Sequence, residues 1–200
     1  MLSKIDIDSP KVLGLDVSTK TIGIALFDIN SEHLLELTHL SPMPKSEMGS
    51  KIEELIVKSN LFKIKLDEYK NLGITKVVIE EPLLTSNNVN TVGVLMRFNT
   101  LVCKEVFDVL GIIPDFISTY NARKFAYPEL FQKNDKGRDV LFGGYDKNAD
   151  KKTLIWELVA KKEPQIVWHY TKNNKLKKEN FDQTDAYTAV LGYMKMKNIW

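Results

Sequence analysis

Four carboxylates stand where they could do chemistry together: Asp16, Glu80, Asp182 and Asp185. Asp16 closes a short apolar run, KVLGLD, and Glu80 closes a β-branched one, KVVIE, with Glu81 beside it. A carboxylate at the end of a buried strand is costly unless it is paired or bound to a cation, because desolvation penalises its charge. Either acid alone has a plainer reading, a strand end that reaches solvent. Asp182 and Asp185 have one too. Asp182 sits where an N-cap belongs and Asp185 falls in the first turn, and both places favour Asp through capping and the helix dipole. A spacing of three also turns both side chains toward one side of the helix start. The combination says more than any member. In a sheet-centred α/β fold, ligands gather at strand ends. If the first and fourth strands are parallel neighbours, Asp16 and Glu80 end on one edge, and a C-terminal helix across that edge delivers Asp182 and Asp185. Such carboxylates repel one another unless cations neutralise them, and hard oxygen donors select magnesium or manganese over zinc. Two such ions would activate a water and stabilise the leaving oxygen at a phosphodiester.

The elements that must position these acids follow from periodicity and turn chemistry. Residues 11–16 read as a buried strand, 21–28 (TIGIALFD) as its hairpin partner after turn residues 18–20, and 33–40 (HLLELTHL) as a third strand. Residues 49–72 carry spaced apolar positions among charges and predict a helix, with a break near Asn60 and a stop at Gly73. Residues 76–80 predict a fourth strand. A second long helix is expected over 87–110, stopped by Gly111, and a fifth strand over 115–119 (DFIST). Residues 127–148 hold Pro128, Gly137, Gly143 and Gly144 and predict a long loop or inserted flap. Residues 151–162 and 183–197 are helical in pattern. The order predicts an α/β fold: a mixed five-stranded sheet, an antiparallel hairpin meander followed by parallel strands, flanked by helices. A single domain over residues 1–200, with an insertion at about 127–149, is the expected organisation.

Composition sets bounds. The hydrophobic share of 44% and charged share of 27% are ordinary for a globular chain and argue against wholesale disorder. No stretch approaches the roughly 20 apolar residues of a membrane span. The first ten residues carry Asp6 and Asp8 and lack the apolar core of a secretory signal. The single Cys103 allows neither an internal disulfide nor a Cys-rich zinc site, which fits a reducing, cytoplasm-like compartment. A net charge of +2 says little about nucleic acid, since binders can concentrate charge on one face. Residues 151–180 do concentrate it: eight lysines, including Lys151, Lys152, Lys161, Lys162 and Lys178, face only Glu157, Glu163 and Glu179. A solvated face is the plainer account of that run. A groove for phosphates is the alternative.

With these residues in hand, a known family comes into view. The segment LGLDVSTKTIGIAL (13–26) resembles the opening hairpin of RuvC-like Holliday junction resolvases of the RNase H-like superfamily, with the catalytic Asp at Asp16. VIEEP (78–82) resembles the fourth-strand motif, whose catalytic Glu falls on Glu80, and FDQTDAYTA (181–189) resembles the C-terminal motif with its two acids at Asp182 and Asp185. YNARK (120–124) and DKKT (150–153) resemble stretches that approach DNA, with a lysine near the site at Lys151 or Lys152. The resemblance runs from about Val12 to Met196. It implies a homodimeric, magnesium-dependent endonuclease that cuts two symmetric strands of a four-way junction, with all four acids as catalytic metal ligands. It implies no nucleotide cofactor. Two departures stand out: Leu83 and Leu84 occupy the place where some family members carry a wedging aromatic, and the 127–148 insertion is long. The Lys- and Asn-rich character suits a phage-encoded relative.

Further residues complete the picture. Lys20 in the hairpin turn, Arg123 and Lys124 past the fifth strand, and Lys151 and Lys152 are candidate DNA contacts. Trp156 and Trp168 are expected in the core. His33, His39 and His169 have no metal-ligand spacing and read as structural. The long second helix carries a broad apolar surface that serves either the core or a dimer. Three other functions compete: a nuclease of the same fold acting on an RNA–DNA hybrid or flap, a non-catalytic branched-DNA binder, and an actin-like or sugar-kinase-like nucleotide binder. The last requires two lobes and a second phosphate loop, for which the chain is too short.

Overall fold

The computed structural model describes residues 9–41, 49–82, 89–141 and 150–200. Strands β1 (Lys11–Val17), β2 (Ile22–Asp28) and β3 (Leu34–Leu40) form an antiparallel meander. Helix α1 (Lys51–Tyr69) then returns the chain to β4 (Ile74–Glu80), which lies parallel to β1. Helix α2 (Val89–Leu110) crosses again to β5 (Asp115–Ile117), parallel to β4. The spatial order is β3-β2-β1-β4-β5, the mixed five-stranded sheet expected from the sequence. The expected break at Asn60 is absent: α1 runs through it unbroken.

Alternation along the strands sends residues to two cores. Leu13, Leu15, Ile24, Leu26, Val77 and Ile79 pack with Leu55, Phe62 and Leu66 of α1 and Phe98, Val102 and Val106 of α2. Val12, Ala25, Phe27 and Val78 face the other way, against the helices of the second half of the chain. Each fully buried aliphatic or aromatic side chain contributes roughly 1.5–3 kcal/mol.

Three elements differ from expectation. β5 stops at Ile117 because the Ser118 hydroxyl accepts the Asn121 N–H at 3.2 Å and caps a helix, α3 (Thr119–Ala126), where strand had been expected to continue. The start of the expected 127–148 loop is a 3-10 turn over Pro128–Leu130 and a small hairpin, β6 (Phe131–Lys133) with β7 (Asp139–Leu141). Its remainder lies outside the described residues, as do Leu83 and Leu84. Helix α4 (Lys151–Lys162) is where the sequence placed it, capped by Asp150. The last helix, α5 (Glu179–Met196), begins earlier than residue 183. Among the described residues no helix is long and apolar enough to cross a membrane.

Helix α5 lies directly on the sheet, and two glycines make that approach possible. A Cβ on Gly14 of β1 would collide with the Val190 side chain and the Ala186 carbonyl. One on Gly23 of β2 would collide with the Asp182 carbonyl. The helix backbone therefore rests on strand backbone at both points, and its first turns hang over the end of β1.

Candidate active site

Asp16 and Glu80 stand one residue past the last β1–β4 register pair, Leu15 with Ile79. Both belong to the strand positions that face α5, since their neighbours two residues back, Gly14 and Val78, touch α5 or its core. Asp182 and Asp185 descend from the first turns of α5. The four acids line one cleft of about 270 Å³, together with Lys152 at the start of α4. Asp182 does not cap the helix: Lys178 holds the N-cap position without a side-chain cap bond, and Asp182 lies inside the first turn. The capping account of Asp182 therefore fails, although the helix dipole still favours an acid there.

Each of three carboxylates is held by partners distant in sequence. The Thr119 hydroxyl donates to Glu80 Oε1 at 2.7 Å, and the Thr21 hydroxyl donates to Asp182 Oδ2. Asp185, with its side chain 7% exposed, receives Arg123 on Oδ1 at 3.3 Å and Lys152 on Oδ2 at 3.2 Å. Helix α3 thus supplies two of these groups. Thr119 and Arg123 are four residues apart on one face, while Tyr120 and Lys124 face the β6–β7 hairpin, where Lys124 pairs with Asp139 at 2.6 Å.

The charge balance of the cleft is unfavourable as it stands. Burial, reinforced by Glu80, Asp185 and Asp182, holds the Asp16 carboxyl well above the usual carboxylate range. Burial and Asp185 push Glu80 up to about 7 against the opposing Thr119 hydrogen bond and the Arg123 and Lys152 charges. Burial raises Asp182 to about 6, with Lys152 opposing and Asp185 and Glu179 adding. Burial works against the Lys152 ammonium, yet Asp185 and the other acids hold its pKa above the ordinary value. Two side-chain cations therefore do not neutralise four acids.

A hard divalent cation fits this donor set in kind and in charge. The side chains do not surround a common point: among the described residues no three His, Cys, Asp or Glu groups converge as metal ligands do. The reason is local. Asp185 is engaged by Arg123 and Lys152, and Asp182 and Glu80 each give one oxygen to a threonine.

The remaining sequence-predicted residues are not in the lining of this cleft. Lys20 is exposed in the β1–β2 turn, and Lys151 is exposed at the start of α4. Arg123 is drawn into the cluster, with its side chain 13% exposed. His39 meets His169 edge-on at 5.5 Å and hydrogen-bonds Gln183 at 3.0 Å, while Trp156 and Trp168 stack edge-on at 5.8 Å, half-buried. Sequence reasoning missed Thr21 and Thr119. A hydroxyl directly after a strand-ending turn or cap is the only local signal, and it is a common one.

The sheet order, the parallel β1–β4 pair and the helix laid across it define the RNase H-like α/β class. No protein-family model matches the sequence, and no curated protein matches it. Solved structures do match, and the fold is that of the RuvC-type resolvases. T. thermophilus RuvC in complex with a Holliday junction substrate superposes with a TM-score of 0.56 at 11% identity, covering 93% of this chain and 95% of that one. A second Thermus thermophilus RuvC structure gives 0.56 at 13% identity, over 94% and 96%. The yeast mitochondrial Holliday junction resolvase Ydc2 gives 0.58 at 10% identity, over 94% and 79%.

Proposed function

We propose that this protein is a RuvC-like endonuclease that resolves four-way DNA junctions by metal-dependent phosphodiester hydrolysis. The observation that carries the reading is that Asp16, Glu80, Asp182 and Asp185 all line one cleft of a RuvC-type fold. Asp16, Glu80, Asp182 and Asp185 would hold magnesium, with manganese as a substitute and two ions per site. Bound there, such ions supply neutralising charge and Lewis-acid activation of water and of the leaving oxygen. The chain's own groups orient and balance that chemistry. Thr119 and Thr21 each fix one carboxylate oxygen, of Glu80 and of Asp182. Lys152, half-exposed beside Asp185, is free to swing toward a phosphate once a substrate competes for it. Lys20 and Lys151 are DNA contacts at the rim. Arg123 acts from inside the cluster, and Lys124 acts through the hairpin it anchors.

The same reading includes a homodimer. Met96 and Phe107 of α2 and Phe116 of β5 are each about half-exposed, and Met96, Cys103 and Phe116 line a cavity of about 380 Å³. An apolar surface of this kind on a globular chain fits an interface.

Cleavage of end-labelled substrates in magnesium tests the proposal. A mobile four-way junction should be nicked in symmetric pairs, while linear duplex, flap and RNA–DNA hybrid are spared. Cutting of the hybrid or flap alone would move the activity to another branch of the fold. Tight junction binding without cutting in magnesium or manganese would make the protein a branched-DNA binder.

A further inference from the structure

A second concavity adjoins the carboxylate cleft. It has a volume of about 480 Å³ and is lined by Lys20, Lys152, Lys178, Phe181 and Asp182, among others. Ser18, Lys152 and Asp182 border both hollows, so the groove leads away from the acids around the start of α5. Its two outer lysines come from elements far apart in the chain, Lys20 from the β1–β2 turn and Lys178 from the N-cap of α5. Both are exposed, and among the described residues neither ammonium takes part in an ion pair. Two acids share the lining: Asp182, which accepts the Thr21 hydroxyl and borders both hollows, and Glu179. Among the described residues Phe181 is the only aromatic ring of the lining, and it is half-buried.

This composition suits one kind of occupant. Free ammonium groups suit a phosphodiester backbone, and an isolated ring beside them suits a base, the pairing by which single strands are held without regard to sequence. The volume lies within the 300–1,000 Å³ range of small-molecule sites, room for a base and its sugar but not for a duplex. A base that stacks on Phe181 must first leave its own stack, and unstacking is easiest where pairing is already interrupted.

We propose that this groove carries the scissile strand away from the carboxylates, with phosphates on Lys20 and Lys178 and an unstacked base on Phe181. Phe181 is thereby a specificity determinant that favours branched over continuous DNA. The inference rests on the nuclease reading and names the strand path of that site.

Binding of a fluorescent four-way junction and of a matched linear duplex, with calcium in place of magnesium and at several salt concentrations, tests it. The Lys20→Ala/Lys178→Ala double variant should lower the salt slope of junction binding by about 1.4, from about 0.7 per single-strand phosphate contact. Phe181→Leu keeps the apolar bulk and loses the ring. It should weaken junction binding at least about fivefold, as loss of one base stack does, and leave duplex binding unchanged. Phe181→Trp should restore junction binding. An unchanged salt slope in the double variant overturns the proposal, as does equal weakening of junction and duplex by Phe181→Leu. If the wild-type protein binds no nucleic acid at all, the nuclease reading falls and the groove with it. If the wild type binds and the variants behave like it, the groove alone falls.

Discussion

At the scale of the residue, the cleft is a set of acids held close at a cost. Asp16 is the extreme case, raised by burial and by three carboxylate neighbours, and Glu80 is pushed up to about 7. A carboxyl whose folded pKa exceeds its unfolded value contributes stability that is fully present below the unfolded pKa and is lost as pH rises through the folded one. The window for Glu80 therefore runs from about 4.5 to about 7. In chelator, the melting temperature should fall as pH rises across that window. Asp16→Asn should flatten the fall and raise the melting temperature at pH 8 by a few degrees, which corresponds to about 1–2 kcal/mol. Magnesium should raise the wild-type melting temperature at pH 8 through linkage. Thermal melts at pH 5 and pH 8, with and without magnesium, check all three effects. A variant that melts below the wild type in chelator at pH 8 would show that Asp16 is stabilised by its surroundings.

The acids themselves were legible in the sequence because each ends or opens an element. Their partners were not. Thr21 and Asp182 are 161 residues apart, Arg123 and Asp185 are 62 apart, and Thr119 and Glu80 are 39 apart, and no local pattern encodes such contacts.

At the scale of the element, α5 is the piece that makes four separate acids into one site. It reaches the sheet only because Gly14 and Gly23 offer bare backbone beneath it. Gly23→Ala should force the first turn of α5 outward. The expected cost is about 1–3 kcal/mol of overpacking, and Asp182 should be displaced from the cleft. Magnesium affinity, measured by calorimetry, should fall along with stability. Wild-type stability and affinity in this variant would show that α5 does not rest on β2.

Strong periodicity made β1 to β4, α2 and α4 readable. Where competing local signals met, the reading failed. The pattern predicts α5 from Gln183, because Asp182 before an apolar run looks like a cap, yet Glu179 and Asn180 already belong to the helix. α3 was missed because eight residues after a three-residue strand carry too short a pattern, and only the Ser118 cap marks its start. The hairpin β6–β7 rests on pairing of two three-residue strands, beyond what period-two alternation can reveal.

At the scale of the whole molecule, the mixed sheet and its helix cover follow from a hydrophobic pattern that sequence alone displays, while the strand order, with β1 beside β4, comes from the structure. Identities of 10–13% to the RuvC-type structures show how little else is needed to keep this backbone path. A four-way junction offers two symmetric strands, and a two-fold dimer would present two clefts to them. The exposed Met96, Phe107 and Phe116 supply the apolar surface for such a contact. Sedimentation at micromolar concentration should give a dimer, and Phe107→Glu or Met96→Glu should shift it to monomer. A wild-type monomer would assign that surface to another partner.

The proposed phosphodiester-cleaving centre needs all four carboxylates acting together. The most direct measurement is junction cleavage in magnesium by Asp16→Asn, Glu80→Gln, Asp182→Asn and Asp185→Asn, each beside its junction affinity. At least about a hundredfold loss of cutting is expected in every variant, with the junction still bound. Wild-type cutting by any one of the four would remove that residue from the centre, and wild-type cutting by Asp16→Asn would overturn the carboxylate centre as a whole.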